Sequence, residues 1–381
     1  MSQAAGTAVA VAATQPAHAD PMTGTVKGRG SRNYLPGRFE RTIAEAIDDG
    51  WARSTEPEGG PDPLRPRTEV REEVARSIVS RNDSPDIGFS QSINPYRGCE
   101  HGCSYCFARP SHAYLNLSPG LDFETKIFAK TNAAELLRRE FSRPGYTPSP
   151  IALGINTDAY QPAERRLQLT RQIIEVMLEC GHPFSLITKN ALVERDLDLL
   201  RPLAARQLVH VNFSVTTLDP HLSARLEPRA AAPHARVRAM RRLHEAGVPV
   251  GVLFAPVIPW VNDHELEAVL GAAAAAGAGS AGYVLLRLPH EVAPLFRDWL
   301  QAHLPDRAER VMATVRHMRG GRDYDAAFGS RMRGRGQYAE LLARRFALAC
   351  RRSGIDRQPA TPLDCSHFIA PRRPSRQGEL F

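Results

Sequence analysis

The sequence predicts an α/β fold in which helices cover a parallel sheet. Between about residue 85 and residue 300, short apolar segments alternate six times with segments of helical period. This alternation indicates strand–helix–strand units with right-handed crossovers, and therefore a parallel sheet. A chain of 381 residues is also long enough to bury a full-sized core. Six units are too few to close an eight-stranded barrel, so we expect an incomplete one.

The predicted elements follow one another regularly along this core. The strands are short apolar runs: Phe89–Ile93, Ile151–Ile155, Phe184–Thr188, Leu208–Val215, Val248–Ala255 and Gly282–Leu288. The predicted helices are Asn132–Phe141, Ala163–Cys180, Leu192–Ala204, His234–Ala246, Asp263–Ala276 and Ala293–His303. Gly and then Pro follow two of these helices, in Gly181-His-Pro and Gly247-Val-Pro, as is typical beyond a helix end.

Two extensions flank the predicted core of residues 85–300. Residues 1–84 are rich in Ala, Gly, Pro and charge, which predicts a mobile or loosely docked extension with Tyr34 and Phe39 as candidate anchors. Residues 301–381 are predicted to form a basic helical extension and tail. They carry 16 Arg and 8 acidic residues, which accounts for the whole net charge of +8. Such a basic segment is one signature of nucleic-acid binding, although 45 Arg against 4 Lys equally fits a general compositional bias.

The composition excludes several classes of protein. Six cysteines in this length do not form a disulfide scaffold, and no run of about 18 apolar residues predicts a transmembrane helix. The Ala-rich N-terminus lacks the basic start of a signal peptide, so we interpret it as a disordered tail. We therefore expect a cytoplasmic protein that has no membrane partner.

Three cysteines lie in one short loop after the first predicted strand. Cys99, Cys103 and Cys106 have the spacing C-x3-C-x2-C, whereas Cys180 and the two later cysteines are single and scattered. Three thiolates can hold three irons of a cubane cluster and leave the fourth iron open, unlike the four-cysteine sites of electron carriers. In barrels of this type the chemistry lies at the carboxyl ends of the strands, where this loop is expected.

The loop resembles the cluster loop of the radical S-adenosylmethionine (radical SAM) superfamily, and Tyr105 matches the aromatic residue before its third cysteine. The runs Asn94–Arg109, Asn156–Pro162, Glu227–Arg229 and Ala255–Pro259 resemble the spore photoproduct lyase-like branch of that superfamily. The resemblance covers about residues 88–290. It implies a partial (β/α)6 TIM-type barrel, a [4Fe-4S] cluster and bound S-adenosylmethionine (SAM). The hydrogen-donor cysteine that the lyase has after its second strand has no counterpart here.

The resemblance also implies which residues contact SAM. Tyr105 would lie near the adenine, Asn156 and Ser214 would contact the ribose or carboxylate, and Lys189 would be a charge partner. Arg229 would pair with the SAM carboxylate. By this resemblance the protein is a radical SAM enzyme that cleaves SAM to a 5′-deoxyadenosyl radical. Its substrate is unknown, with DNA or another nucleic acid as one candidate, and its electron donor is a flavodoxin or ferredoxin.

Two further hypotheses stay open. In the first, the cysteines and His101 bind zinc and the chain is a basic nucleic-acid-binding protein without catalysis. The second concerns the C-terminal segment Gln377–Phe381. Its Q-x-x-L-F pattern resembles peptides that dock on the DNA sliding clamp, which would also point to DNA.

Overall fold

The computed structural model describes residues 28–40, 66–357, 359 and 361–371. Within these residues the strands are β1 (Glu69–Glu73), β2 (Val79–Arg81), β3 (Gln91–Ile93), β4 (Tyr96–Arg97), β5 (Lys126–Lys130), β6 (Ile151–Leu153), β7 (Phe184–Thr188), β8 (Val209–Ser214), β9 (Val250–Val257) and β10 (Ser280–Leu285). The helices are α1 (Leu121–Thr125), α2 (Ala133–Phe141), α3 (Glu164–Leu167), α4 (Leu169–Cys180), α5 (Leu197–Ala205), α6 (Pro220–Leu226), α7 (Pro233–Glu245), α8 (Leu266–Ala275), α9 (Val292–His303), α10 (Pro305–Met318), α11 (Ser330–Arg333) and α12 (Gln337–Ser353). Short 3-10 helices lie at Arg109–Leu115, Ala191–Asp196 and Asp263–Glu265.

The main sheet has the strand order β10-β9-β8-β7-β6-β3-β2. All neighbours are parallel except β2, which runs antiparallel to β3 at one edge. The six parallel strands follow one another in chain order, so they form a partial (β/α)6 barrel whose carboxyl ends share one rim. All six predicted strands and the predicted fold class are confirmed.

Contacts with the C-terminal extension connect the two edges of this open sheet. At the β10 edge, Asp356 forms a bridge to Ser280, with the Ala281 N–H donating to the Asp356 carbonyl at 2.8 Å. At the other edge, Asp86 of the β2–β3 loop pairs with Arg331 of α11, with Nε 2.7 Å from Oδ2. Since α11 packs on β10, this ion pair joins the two ends of the barrel.

A second, small sheet was not predicted. It has the order β1-β5-β4, with β5 parallel to β1 and antiparallel to β4. The sequence of β1 is Glu-Val-Arg-Glu-Glu, which shows neither an apolar run nor clean alternation, so the usual strand signal is missing. β4 comes directly before the cysteine loop, and this sheet therefore fixes where the loop begins.

The described part of the N-terminal extension differs from the expectation of a mobile or loosely docked segment. Residues 66–84 contribute β1 and β2, and residues 28–40 pack on the cysteine loop and on α9. Phe39 is 49% exposed, and its ring lies 5.0 Å from that of the exposed Tyr114. Tyr34 is 56% exposed. The expected boundaries at residues 84 and 300 remain predictions, and residues 1–27 and 41–65 lie outside the described residues.

The C-terminal extension is helical as predicted. α10 packs on α9, and α12 packs on α8 at the β10 side of the barrel. The predicted helix Ala163–Cys180 is divided at Gln168, whose φ of +53° interrupts it between α3 and α4. None of the described helices combines the length and the apolar character that crossing a membrane requires. The C-terminal segment Gln377–Phe381 lies outside the described residues.

Candidate functional site

The three cysteines lie at the carboxyl rim, in the loop that leaves β3 and β4. Cys99 and Cys103 are each 7% exposed, and Cys106 is half-buried. All three thiols are free. The loop is closed by short backbone bonds, such as that from the Cys106 N–H to the Cys103 carbonyl at 3.2 Å. The sequence therefore brings three thiols to the end of the barrel that the fold reserves for chemistry.

Arg109 and Glu124 hold this loop from below, and both side chains are completely buried. The Arg109 guanidinium donates to the Cys103 carbonyl at 2.9 Å and pairs with Glu124 at 2.5 Å. Gly102 has a φ of +66°, and a Cβ there would lie 2.6 Å from Glu124 Oε2. The loop is thus fixed by a buried ion pair that only glycine can approach so closely.

The N-terminal segment completes this support. The backbone N–H groups of Gly30 and Ser31 donate to the two Glu124 carboxylate oxygens at 3.0 and 2.8 Å. Arg29 donates to the Glu124 carbonyl at 2.8 Å and to the Pro66 carbonyl at 2.8 Å. The Gly-Arg-Gly-Ser-Arg run therefore packs beneath the cysteine loop, a role that its composition did not indicate.

A buried carboxylate lies beside the loop at Glu227, in the turn after α6. Its oxygens accept hydrogen bonds from Tyr105, Arg236 and, at 2.6 Å, Thr216. Lys189 Nζ lies 3.2 Å from Glu227 Oε1. Burial opposes ionisation of Glu227, but the charges of Arg236 and Lys189 outweigh it and lower its pKa. Burial and the Glu227 charge together raise the pKa of Tyr105, so this phenol stays a neutral donor.

Lys189 and Ser214 meet at the carboxyl ends of neighbouring strands. Lys189 directly follows β7, Ser214 ends β8, and Nζ donates to Oγ at 2.6 Å. The ammonium also lies 5.6 Å from the centre of the Tyr105 ring. The structure thus places Tyr105, Lys189 and Ser214 in one cluster around Glu227. Lys189 is its partly exposed member.

Asn156 and Arg229 are at the same rim but outside this cluster. The backbone N–H of Asn156 donates to Asn94 Oδ1 at 2.8 Å, and its side chain is exposed. The Arg229 guanidinium pairs with Glu100 at 3.1 Å and donates to Thr68 at 3.1 Å. Arg229 therefore has two protein partners, and its expected pairing with the SAM carboxylate remains a prediction.

His101, the fourth ligand of the zinc hypothesis, has other partners. Its Nδ1 lies 3.3 Å from Asp158 Oδ2, and its Nε2 lies 3.5 Å from Asn190 Nδ2. Burial opposes ionisation of Asp158, but His101 and the backbone N–H groups of Lys189 and Tyr160 outweigh it and lower its pKa. Over residues 28–40, 66–357, 359 and 361–371, no group of three His, Cys, Asp or Glu side chains is arranged to hold a single metal ion.

The donor set fits a [4Fe-4S] cluster that binds through three thiolates. Burial raises the pKa of Cys99, Cys103 and Cys106. Thiolates buried in this way form when a bound cation compensates their charge, and iron ions supply that charge. Ser104, within the loop, has a buried Oγ without a hydrogen-bond partner in the described residues. This hydroxyl can therefore still form a hydrogen bond.

Sequence reasoning missed Glu227 and Arg236, the two residues that hold the cluster of side chains around Glu227 together. Glu227 stands in the run Leu-Glu-Pro-Arg that had drawn attention to Arg229 instead. Arg236 lies on α7 and reaches back to Glu227 and to the Ser214 carbonyl, at 2.9 Å from the latter. No local pattern marks such a contact, because the two residues meet only through the packing of α7 beneath the rim.

Comparisons with known proteins agree with this geometry. The sequence model of the radical SAM superfamily matches residues 93–273. An uncharacterised protein of Mycobacterium tuberculosis is 39% identical over 232 residues, which cover 60% of this chain and 68% of that protein. An uncharacterised protein of Methanocaldococcus jannaschii is 27% identical over 178 residues, covering 47% of this chain and 64% of that protein.

Among solved structures, spore photoproduct lyase complexed with a dinucleoside spore photoproduct is similar over 74% of this chain and 79% of that one. The TM-score is 0.54 and the sequence identity is 15%. At this identity the likeness extends to the fold alone.

Proposed function

The chain belongs to the radical SAM superfamily, and on that premise we propose that Cys99, Cys103 and Cys106 hold a [4Fe-4S] cluster that cleaves SAM reductively. When both are bound, cluster and SAM supply one-electron chemistry that yields a 5′-deoxyadenosyl radical for hydrogen abstraction. We expect a flavodoxin or ferredoxin as electron donor and the reducing cytoplasm as the compartment. The substrate class is a separate question.

The observation that carries this proposal is the open, three-thiol loop at the carboxyl rim. The other three described cysteines lie away from it: Cys180 ends α4 next to the amino end of β7, Cys350 is buried in α12, and Cys365 follows Asp364, whose N–H donates to the Gln207 carbonyl just before β8. A cluster held by the loop would keep one iron without a protein ligand. An open metal position is what binding and activating a small molecule requires.

In this proposal, Asn156 and the residues of the cluster around Glu227 have distinct tasks. Lys189 offers its ammonium to the SAM carboxylate, because it is the more exposed of the two cations that contact Glu227. Tyr105 presents its ring to the adenine, with its hydroxyl held by Glu227. Ser214 and the exposed Asn156 side chain provide ribose or carboxylate contacts. Glu227 orients Tyr105 and Lys189 without touching the ligand.

The surroundings of the loop also limit access of water. Arg109 and Glu124 are fully buried beneath it, and residues 28–40 cover that side. Exclusion of water protects a reactive radical from side reactions. The protein's contribution is then position and protection, while the cofactors carry the difficult chemistry.

Anaerobic purification with cluster reconstitution tests the proposal. We expect a brown protein with about four iron and four sulfide per chain, which forms 5′-deoxyadenosine from SAM on reduction with dithionite. Cys103→Ala should lose both the cluster and turnover, whereas Cys180→Ala, the same change in another buried thiol, should keep both. A colourless protein with stoichiometric zinc would contradict the proposal and support the zinc hypothesis.

A further inference from the structure

A cavity of about 560 Å³ lies along the outer edge of β10. Its walls are residues 281–283 of β10, the turn of residues 333–336, one face of α12, and Arg357. Beyond the bridge between Ser280 and Asp356, no described strand pairs with this edge of β10. The cavity is separate from the cysteine loop, and the proposed function gives it no task.

The lining is strongly positive. It contains three arginines, Arg333, Arg335 and Arg357, and one carboxylate, that of Glu340. The Arg333 guanidinium stacks on the Tyr283 ring at 3.9 Å. Among the described residues, neither Arg333 nor Arg357 has a carboxylate partner. Arg335 has only a 3.3 Å bond to Ser330 and a carboxylate oxygen of Asp325 at 4.0 Å.

Some other arginines of the C-terminal extension are neutralised by carboxylates. Arg316, Arg331 and Arg345 each pair with a carboxylate, at 3.0, 2.5 and 2.7 Å. Other arginines of the extension, such as Arg310, Arg351 and Arg352, also lack a carboxylate partner among the described residues, but Arg333, Arg335 and Arg357 share the lining of one cavity. An unpaired group of guanidiniums around a concave site is a fitting receptor for an anion.

The turn that carries two of these arginines is rigidly held. Gly334 has a φ of +70°, and a Cβ there would lie 2.9 Å from Leu285 Cδ1, so the turn packs directly on β10. The Gly334 N–H donates to the Ser330 carbonyl at 2.7 Å, and the Arg335 N–H to the Met318 carbonyl at 3.0 Å. The guanidiniums thus project from a fixed backbone, which lowers the entropic cost of binding.

Helix α11, which leads into this turn, contacts the rim of the barrel. Met332 Sδ lies 3.6 Å from Arg287 Nη1. Arg287 in turn lies over the Phe107 ring, 4.9 Å from its centre, and Phe107 directly follows Cys106. Arg287 therefore lies between α11 and the cysteine loop.

We propose that this pocket, lined by Arg333, Arg335 and Arg357, binds a phosphate group. Planar guanidiniums pair with phosphate through two parallel hydrogen bonds, and the volume of the pocket suits a ligand of nucleotide size. The phosphate belongs either to a free nucleotide or to a nucleic-acid strand, because both present the same chemistry. The proposal does not depend on the cluster or on SAM.

Binding by the full-length, anaerobically purified protein without SAM tests this proposal. The probes are a fluorescein-labelled single-stranded DNA 12-mer, followed by anisotropy, and ATP, followed by calorimetry. Arg333→Ala and Arg357→Ala should each weaken binding of at least one probe about tenfold, since a hydrogen bond to a charged group contributes on that order. Arg351→Ala removes the same charge from an exposed position of α12 outside the pocket and should bind like the wild type.

The salt dependence separates a phosphate contact from a structural effect. For the oligonucleotide, the double variant Arg333→Ala/Arg357→Ala should reduce the slope of log K against log salt by about 1.4, because each lost contact to a single strand contributes about 0.7. Binding of ATP alone identifies a nucleotide site, and binding of the oligonucleotide identifies a strand site. Failure of both probes, or equal affinities of the pocket variants and Arg351→Ala, would overturn the proposal while leaving the cluster chemistry untouched.

Discussion

Lys189 and Glu227 form an ion pair at the carboxyl rim, with Nζ 3.2 Å from Oε1, although they follow different strands. Glu227 is fully buried and also pairs with the buried Arg236, whereas the Lys189 side chain is 16% exposed. Glu227 therefore keeps a buried counter-charge if Lys189 turns to a ligand. This division is the reason why we propose Lys189 as the cation that meets the carboxylate of SAM.

Lys189→Met should weaken SAM binding at least tenfold and leave the iron content unchanged, because the ammonium is lost and the thiols are not touched. The dissociation constant of SAM, measured anaerobically with the reconstituted protein, checks this. Arg229→Met is the comparison, since Arg229 already pairs with Glu100 and Thr68. A large loss in Arg229→Met with none in Lys189→Met would reverse our assignment of the carboxylate partner.

Glu227→Gln should lower the free energy of unfolding by roughly 3–5 kcal/mol, because Arg236 is left as an uncompensated buried charge. Urea denaturation of the apoprotein at pH 7 measures this loss. Glu267→Gln breaks the more exposed pair with Arg345 and should cost less than about 1 kcal/mol. Equal losses in the two variants would mean that Glu227 is not the buried anchor described here.

Gly102→Ala should reduce iron incorporation, because its Cβ would lie 2.6 Å from Glu124 Oε2 and distort the cysteine loop. Gly145→Ala is a matched control: its φ of +73° imposes the same backbone strain, but no atom lies within 4 Å of the added Cβ. Iron and sulfide per chain, with the melting temperature, distinguish the two. If both variants take up iron like the wild type, the close contact with Glu124 does not position the loop.

Stability should decrease in mild acid because of His182, which stacks on Phe141 with ring centres 4.4 Å apart. Burial lowers the pKa of His182 to about 4, while an unfolded histidine titrates near pH 6.5. The unfolded state therefore binds the proton first, so this contribution is complete above pH 6.5 and is lost as the pH falls towards 4.

Between pH 7 and pH 5, His182 should account for about 2 kcal/mol of lost stability. Urea denaturation at the two pH values measures it. His182→Gln should be less stable at pH 7 but lose less on acidification than the wild type. The same loss in both proteins would assign the acid sensitivity to other groups, such as the buried His112 and His210.

Strands such as Ile151–Leu153 and Val250–Val257 were predictable from sequence because they are largely buried and show a nearly continuous apolar run. The cysteine loop was equally visible, since its spacing is local. Lys189 and Ser214 could be nominated because parallel strands bring their carboxyl ends together.

The remaining parts of the site depend on contacts between distant residues. Glu124 meets Gly30 and Ser31 across more than 90 positions of sequence, and Arg236 reaches Glu227 only through the packing of α7. The pairing of Arg229 with Glu100 likewise results from packing, not from a motif. Such contacts leave no periodic signal, so a sequence alone does not reveal them.

The most direct test of the central claim is electron paramagnetic resonance of the reduced, reconstituted protein with and without SAM. A cluster held by Cys99, Cys103 and Cys106 has one open iron, so adding SAM should change the g-values of the reduced cluster. The same addition should have no effect on Cys103→Ala, which should lack the cluster. A reduced [4Fe-4S] signal that stays unchanged when SAM is added would contradict the proposed open site.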